Sequence, residues 1–279
     1  MNILDKILKT KHVEVAVAKA ARSFDAMLEE ARAATRPTVS FSKALAASPT
    51  GIIAEFKRKS PSKGFIKEGA DAATICAGYA EGGATALSVL TDKDYFAGSL
   101  ADLRAARTAV DLTAACKAIA GGGGAQVAAI PILRKDFVVD PYQICEARIA
   151  GADAILLIAA ALTPAQCGEL AAFAASLGLE VLLELHNETE LPWINPHVNV
   201  VGINNRDLKT FITTTEVSKQ LGKLLPENMV RISESGISSP QTVRELRREG
   251  FRGFLMGENF MKQADPATAL EAFIKELER

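Results

Sequence analysis

Transition-metal ligands are scarce in this chain. Its 279 residues include three histidines and four cysteines. His12, His186 and His197 stand far apart, and Cys76, Cys116, Cys145 and Cys167 form no C-x-x-C pair. No zinc-type ligand cluster can be written from that spacing, and the cysteines read as the reduced thiols of a cytosolic protein. Long apolar runs are missing too. The most apolar stretch, 154–162, is far shorter than the roughly 20 residues that a membrane-spanning helix needs. The N-terminal MNILDKILKTKHVEVAVAKAA alternates charge with apolar residues and lacks the apolar core of a signal peptide, so a cytoplasmic location is expected. A formal net charge of −1 offers no basic excess to a nucleic acid or an anionic membrane, and neither is expected as a partner. No G-x-G-x-x-G follows the first strand candidate, which weakens a dinucleotide-binding reading.

What is present is globular: 48% hydrophobic and 23% charged residues, ample for a sizeable core. Short Ile-, Leu- and Val-rich runs predict strands at 51–57, 86–91, 130–135, 154–159, 180–185, 198–204, 229–234 and 253–257. Amphipathic stretches between them predict helices at 71–82, 141–150, 163–177, 239–250 and 265–277. Asp71 is placed to cap the first of these, Pro141 sits in a first turn, and Thr163-Pro164 and Ser239-Pro240 open two others. Several of these helices close at glycine. Such alternation means a parallel sheet with helical crossovers, and eight units favour an α/β fold of the closed (β/α)8 TIM-barrel type. We expect one domain over 1–279. Residues 51–279 form the barrel, and 1–50 form an N-terminal helical extension of one or two helices with a linker through Arg36-Pro37. The segment 113–129, with glycines at 121–124, reads as a long spacer at the end of the barrel away from the site.

The strand ends carry the chemistry. Along the first strand Ile52, Ala54 and Phe56 share an apolar face, whereas Ile53, Glu55 and Lys57 share the face that points into the barrel. The pattern repeats: Leu133, Lys135 and Phe137; Leu182, Glu184 and His186; Gly202, Asn204 and Arg206; Ile232 and Glu234. Each inward face starts apolar and ends ionic or amide-bearing. In a barrel these ends meet at the C-terminal mouth, where active sites lie. A structural ion pair explains any one of them. Seven converging on one rim is harder to explain so, because burying an ion costs several kcal/mol unless it is paired. After the last two strands come Ser235-Gly236 and Gly257-Glu258, at the position where barrels often bind phosphate. Turn geometry alone is the competing reading of these glycines. Ser60, in the rigid Ser60-Pro61-Ser62 turn, is a further candidate anion donor, whereas Lys63 and Lys67 read as solvated surface.

The blocks IAEFKRKSPSKG, LSVLTDKDYFAGS, LRKDFVVDPYQ, LLELHNETEL, VGINNRDL, ISESGI and FLMGENFM run in order over nearly the whole chain. Together they resemble the indole-3-glycerol-phosphate synthase family of the tryptophan pathway. The resemblance implies a carbon–carbon lyase that converts 1-(2-carboxyphenylamino)-1-deoxyribulose 5-phosphate to indole-3-glycerol phosphate, releasing carbon dioxide and water without metal or organic cofactor. It places the general acid at Lys135, a second acid/base group at Glu184, and the strand-one pair at Glu55 and Lys57. Asn204 and Arg206 then contact the anthranilate part, Glu234 matches the glutamate of SESGI, and the phosphate falls to Ser60, Ser235, Gly236, Gly257 and Glu258. Because a carboxylate repels phosphate, only the backbone N–H of Glu258 is expected to face inward. Arg206 suits a carboxylate by its two-pronged geometry. Phe137, Leu157 and Leu185 are candidates to flank the aromatic ring, with core packing as the competing role. The partner is thus a small molecule, the phosphorylated anthranilate–ribulose adduct, and the chain, one barrel long, is expected to be a single-activity monomer. Two other readings stay open on the residues: a phosphate-binding isomerase or Schiff-base aldolase using Lys57 or Lys135, and a non-catalytic barrel that binds a phosphorylated ligand.

Overall fold

A computed structural model describes residues 3–120, 130–207, 210 and 212–279. Its centre is a closed barrel of eight parallel strands: β1 Ile52–Phe56, β2 Ala86–Leu90, β3 Ile132–Lys135, β4 Ala154–Ile158, β5 Glu180–Leu185, β6 Val200–Asn204, β7 Val230–Glu234 and β8 Gly253–Met256. Neighbours follow chain order. The ring shuts where β8 pairs with β1 through Ile52↔Phe254 and Ile53↔Leu255. All eight strands expected from the sequence are there, trimmed by a residue or two at some ends.

Alternation along each strand sorts side chains into two cores. Ile52, Ala54 and Phe56 join the layer between strands and helices. Ile53, Leu133, Leu182 and Ile232 join a smaller cluster inside the barrel. The interior is therefore mostly hydrocarbon in its lower half, and its ionic groups above the floor gather at the strands' C-terminal ends.

Three helices precede β1, one more than the upper expectation: α1 Ile3–Ala21, α2 Phe24–Ala33 and α3 Phe41–Ala47. The third is only seven residues long, too short for a periodicity signal, and its start is set by the Ser40 cap. It is the floor of the molecule. Phe41 and Leu45 are fully buried and belong to the interior cluster, sealing the N-terminal end of the barrel. Two carboxylates hold this floor. Glu180 accepts from the Ser40 hydroxyl and the Ser42 amide. Asp153 accepts from Arg36 Nη2 (2.7 Å), the Val39 amide (2.9 Å), Arg107 Nη1 (3.1 Å) and the Ile132 amide (2.8 Å).

At the opposite end α1 docks through buried Leu4 and Ile7. Lys11 on the same helix is buried between Asp92 and Asp136, 3.0 Å from each, and Glu14 at 2.7 Å. Burial alone would lower the Lys11 pKa, but the carboxylates outweigh it and hold it above its usual value. The extension thus runs from the mouth to the floor.

The crossover helices are α4 Ala72–Glu81, α5 Leu100–Ala120, α6 Pro141–Ala150, α7 Pro164–Ser176, α8 Glu216–Gly222 and α9 Pro240–Arg248; a 3-10 helix, Glu188–Trp193, links β5 to β6, and α10 Glu258–Met261 and α11 Pro266–Leu277 follow β8. The expected caps are in place: the side chains of Asp71, Thr163 and Ser239 each accept a first-turn amide, and Asp265 does the same for α11. Because α5 continues through Ala120, the first part of the segment read as a spacer is helix. The glycines at 121–124 lie outside the described residues. Among the described residues no helix is long and apolar enough to cross a membrane, and the four cysteines are free thiols.

Candidate active site

The C-terminal mouth holds a cavity of ≈ 420 Å³. Its lining includes Glu55, Lys57, Lys135, Glu184, Asn204, Arg206 and Glu234, together with Phe137, Ser60, Ser235, Gly236, Gly257 and Glu258. These thirteen of the residues singled out from the sequence therefore face one space, brought there from six strand ends and the loops that follow them.

An ionic centre lies at the bottom of this space. Lys135 Nζ donates to Glu184 Oε2 at 3.0 Å and to Glu234 Oε2 at 2.8 Å. Burial pulls the Lys135 pKa down, yet the carboxylates of Glu184, Glu234 and Glu55 outweigh it and raise it above the ordinary lysine value. Lys135 is thus an ammonium with its charge secured.

Its two carboxylates are unequal. Burial disfavours the charge of Glu184, but Lys135, His186 and Asn204 more than compensate and hold its pKa far below the usual range. Asn204 Nδ2 donates to Glu184 Oε1 at 3.1 Å. Glu234 has Lys135 alone, and its Oε1 meets no hydrogen-bond partner among the described residues. Burial, with Glu184 and Glu55 nearby, pushes Glu234 up to about 7 in spite of Lys135. Space for this carboxylate depends on Gly202, where a Cβ would lie 2.2 Å from Glu234 Oε1. Glycine in the middle of β6 is there because the carboxylate occupies the side-chain position.

A second ion pair joins Lys57 to Glu55 on β1, where Glu55 is buried and Lys57 only partly so. Gly257 makes room for it: a Cβ there would fall 2.6 Å from Glu55 Oε1. His186 continues the polar chain outward. Its Nε2 lies 3.2 Å from Glu184 Oε1 and its Nδ1 3.7 Å from Glu190 Oε2. Neither nitrogen is aligned for a hydrogen bond, so the attraction is ionic. Burial opposes the imidazolium, but the two carboxylates beside it outweigh burial and raise its pKa above the usual histidine value.

One side of the cavity is polar. Ser235 (φ 66°) and Gly236 (φ 73°) form consecutive left-handed residues after β7. Gly236 is required twice, by its φ and because a Cβ would come within 2.6 Å of the Thr213 methyl. Arg206 Nη1 donates to Ser62 Oγ at 3.0 Å, and Lys63 pairs with Glu258 at 2.7 Å. These contacts tie the hairpin of Lys59–Ser60 and Gly64–Phe65 to the far rim. Lys63 is exposed, as expected of solvated surface, and its ammonium pairs with Glu258 there. Lys67 is half-buried and caps the carbonyls of Gln263 and Ala264.

The other side is apolar: Phe137, Phe96, Leu90, Leu156 and Ile158, with Ile3, Leu4 and Ile7 of α1. The rings of Phe96 and Phe137 are 6.2 Å apart and tilted by 37°. Here the sequence reading needs correction. Leu157 and Leu185 pack in the outer layer against helices, and the cavity wall on β4 is made by their alternates, Leu156 and Ile158. Phe96 and the α1 side chains were missed. They reach the site from a loop and a docked helix, and no strand alternation points to them. Behind Lys135 stands Asp136, which accepts from Thr91 Oγ1 at 2.5 Å and Arg134 at 3.0 Å. Burial opposes its charge, but Arg134, Lys11 and Thr91 lower its pKa to about 2. Among the described residues no group of three or more His, Cys, Asp or Glu is placed to hold a metal ion.

Comparison with known proteins agrees with this geometry. The family model described as indole-3-glycerol phosphate synthase matches residues 4–275. An indole-3-glycerol phosphate synthase from Bacteroides thetaiotaomicron is 48% identical over 277 residues, covering 99% of this chain and 99% of its own. One from Bordetella pertussis is 42% identical over 278 residues, covering 98% of this chain and 99% of its own. Among solved structures, a chain of the tryptophan synthase complex from Pyrococcus furiosus superposes with a TM-score of 0.56 at 16% identity, covering 82% of this chain and 97% of its own. Thiamine phosphate pyrophosphorylase from the same organism gives 0.56 at 13% identity, covering 81% and 94%. At that identity the two structures speak to the barrel fold alone.

Proposed function

The chain belongs to the indole-3-glycerol phosphate synthase family, and from that premise we propose that its cavity closes the indole ring of 1-(2-carboxyphenylamino)-1-deoxyribulose 5-phosphate. The observation that carries the proposal is the Lys135 ammonium shared by Glu184 and Glu234 at the bottom of a cavity with one apolar and one polar wall.

The substrate has an aromatic carboxylate at one end and a phosphate at the other. The ring lies along Phe137, Leu156 and Ile158, with Arg206 and Asn204 toward its carboxylate. The phosphate lies at Ser235, Gly236, Gly257, Ser60 and the backbone of Glu258. This leaves the ribulose carbonyl over Lys135. The ring carbon that bears the carboxylate attacks the carbonyl carbon, and a carbon–carbon bond forms. The electron pair of the carbonyl goes to its oxygen, which takes a proton from Lys135 Nζ. An ammonium aimed at the oxygen stabilises the negative charge as it develops.

The carbon–carboxylate bond then breaks, carbon dioxide leaves, and its electrons restore the ring. Expulsion of the new hydroxyl as water needs one proton donor for the oxygen and one base for the carbon next to it. Glu184 is a poor base while Lys135 is charged. Once Lys135 has given up its proton the ion pair is lost and Glu184 becomes more basic, so the two groups act as one coupled unit. Lys57, paired with Glu55, supplies the second donor. Lys135 held as an ammonium lacks the free amine that a Schiff-base reaction requires. Every group named comes from one chain, and we take the single chain as the acting unit.

The test is turnover: the purified chain is mixed with the carboxyphenylamino-deoxyribulose phosphate and indole fluorescence is followed. We expect product from the wild type. A folded chain that yields no indole product would overturn the reading.

A further inference from the structure

Asn205 stands between two cavity-lining residues, Asn204 and Arg206, but does not itself line the cavity. It is 1% exposed, and two of the serines it touches, Ser218 and Ser233, are fully buried. Its carboxamide uses its whole hydrogen-bonding capacity. Nδ2 donates to Ser233 Oγ and to the Ser235 carbonyl, both at 2.9 Å. Oδ1 accepts from the Ser218 amide at 3.1 Å and the Ser218 hydroxyl at 2.8 Å. The orientation of this amide is dictated by the backbone, since the Ser218 N–H can only donate and the Ser235 carbonyl can only accept. With the Ser218 proton engaged at Asn205, the Ser233 hydroxyl donates to Ser218 Oγ at 2.7 Å. The Asn205 main chain is also engaged: its N–H donates to the Glu234 carbonyl at 2.9 Å, and its carbonyl accepts from Thr214 at 3.1 Å.

The group at the end of this network is strained. Ser235 is one of two described non-glycine residues with positive φ, at 66°. That region is unfavourable for an L-residue and persists where the surroundings over-determine it. The turn it begins is the one assigned above to the substrate phosphate.

We infer that Asn205 is a positioning residue for phosphate recognition: its Nδ2–H on the Ser235 carbonyl holds Ser235 in the left-handed form and so sets the Ser235-Gly236 turn. It touches no substrate and acts through Ser235. The inference rests on the phosphate reading given above, and the proton chemistry at Lys135 lies outside its reach. Substrate affinity therefore depends on Asn205 more than the chemical step does.

Glycerol 3-phosphate is the probe, titrated into the full chain alongside turnover kinetics, for wild type, N205A, S218A, S235G and N205A/S235G. N205A should weaken glycerol 3-phosphate binding about tenfold and raise KM to match, with kcat within about threefold. Glycine adopts a left-handed φ without strain, so the same N205A change should cost less than about threefold in the S235G background. S218A keeps both Nδ2 donors and should show a smaller loss in the same direction. N205A that stays folded and binds the probe within about twofold of wild type overturns the inference. So does an equal cost in both backgrounds, which marks a purely structural role. If N205A does not fold, S218A decides, and wild-type affinity there counts against Asn205. A wild-type chain that turns over substrate yet ignores glycerol 3-phosphate overturns the phosphate assignment itself, and the Asn205 role with it.

Discussion

The two ends of this barrel bury ionised groups in different ways. At the floor, Asp153 accepts four hydrogen bonds, two of them from arginines, and Glu180 accepts two from the start of α3. Each carboxylate there is matched by donors fixed in the fold. At the mouth, one ammonium, that of Lys135, serves two carboxylates, and among the described residues Glu234 Oε1 has no hydrogen-bond partner. Buried charge that is fully matched stabilises a single arrangement. Buried charge that is under-matched has a proton affinity that a small change can shift, which is what acid–base work needs.

The strongest way to break this contrast is to remove the central charge at each end. Lys135→Ala should lower turnover about 10²–10⁴-fold, the usual worth of a positioned proton donor. It should leave the fold standing, because Glu184 and Glu234 can take up a proton in place of the lost ammonium. A variant with wild-type kcat would remove Lys135 from the mechanism. Asp153→Ala should do the reverse. It takes from the buried Arg107 one of its two carboxylates, leaving Asp111, and it frees the linker at Arg36 and leaves the Val39 and Ile132 amides without their acceptor, for a loss of about 1–3 kcal/mol in urea unfolding, while the folded fraction keeps its kcat. Loss of kcat with unchanged stability would erase the distinction between the ends.

A smaller effect sharpens it. Glu234 carries a folded-state pKa raised from 4.5 to about 7, because of burial beside other carboxylates. A raised pKa means the folded state holds its proton more tightly than the unfolded chain. The resulting stability is complete below pH 4.5 and is lost as pH rises through about 7. Glu234→Gln removes the proton and the slope. Between pH 5 and pH 8 the wild type should therefore lose roughly 2–3 kcal/mol relative to the variant. Parallel stability curves for the two proteins would mean that Glu234 is matched after all.

How much of this could be read from the sequence depends on the kind of signal. Glu55, Lys135, Glu184, Asn204 and Glu234 were found because a strand's period of two fixes which face each residue takes once one inward residue is known. Leu157 and Leu185 entered as ring-flanking candidates without that rule, which turns both outward and leaves Leu156 and Ile158 facing inward on β4. Groups that arrive from outside the strands carried no such signal. Phe96 comes from a loop, Ile3, Leu4 and Ile7 from a helix whose docking site is set by tertiary contacts, and α3 is too short to show a period. The Lys11 cluster is of the same kind: Asp92 and Asp136 come from separate parts of the chain and meet Lys11 only after folding. Spacing along the chain states which face a residue takes, and folding alone states which distant face it meets.

Phe41 and Leu45, plugging the bottom of the ring, make the interior a cul-de-sac. On the proposed reaction, the carbon dioxide set free at the depth of Lys135 has no back door. It leaves by the same mouth as the product, which forms only once water has been expelled in turn.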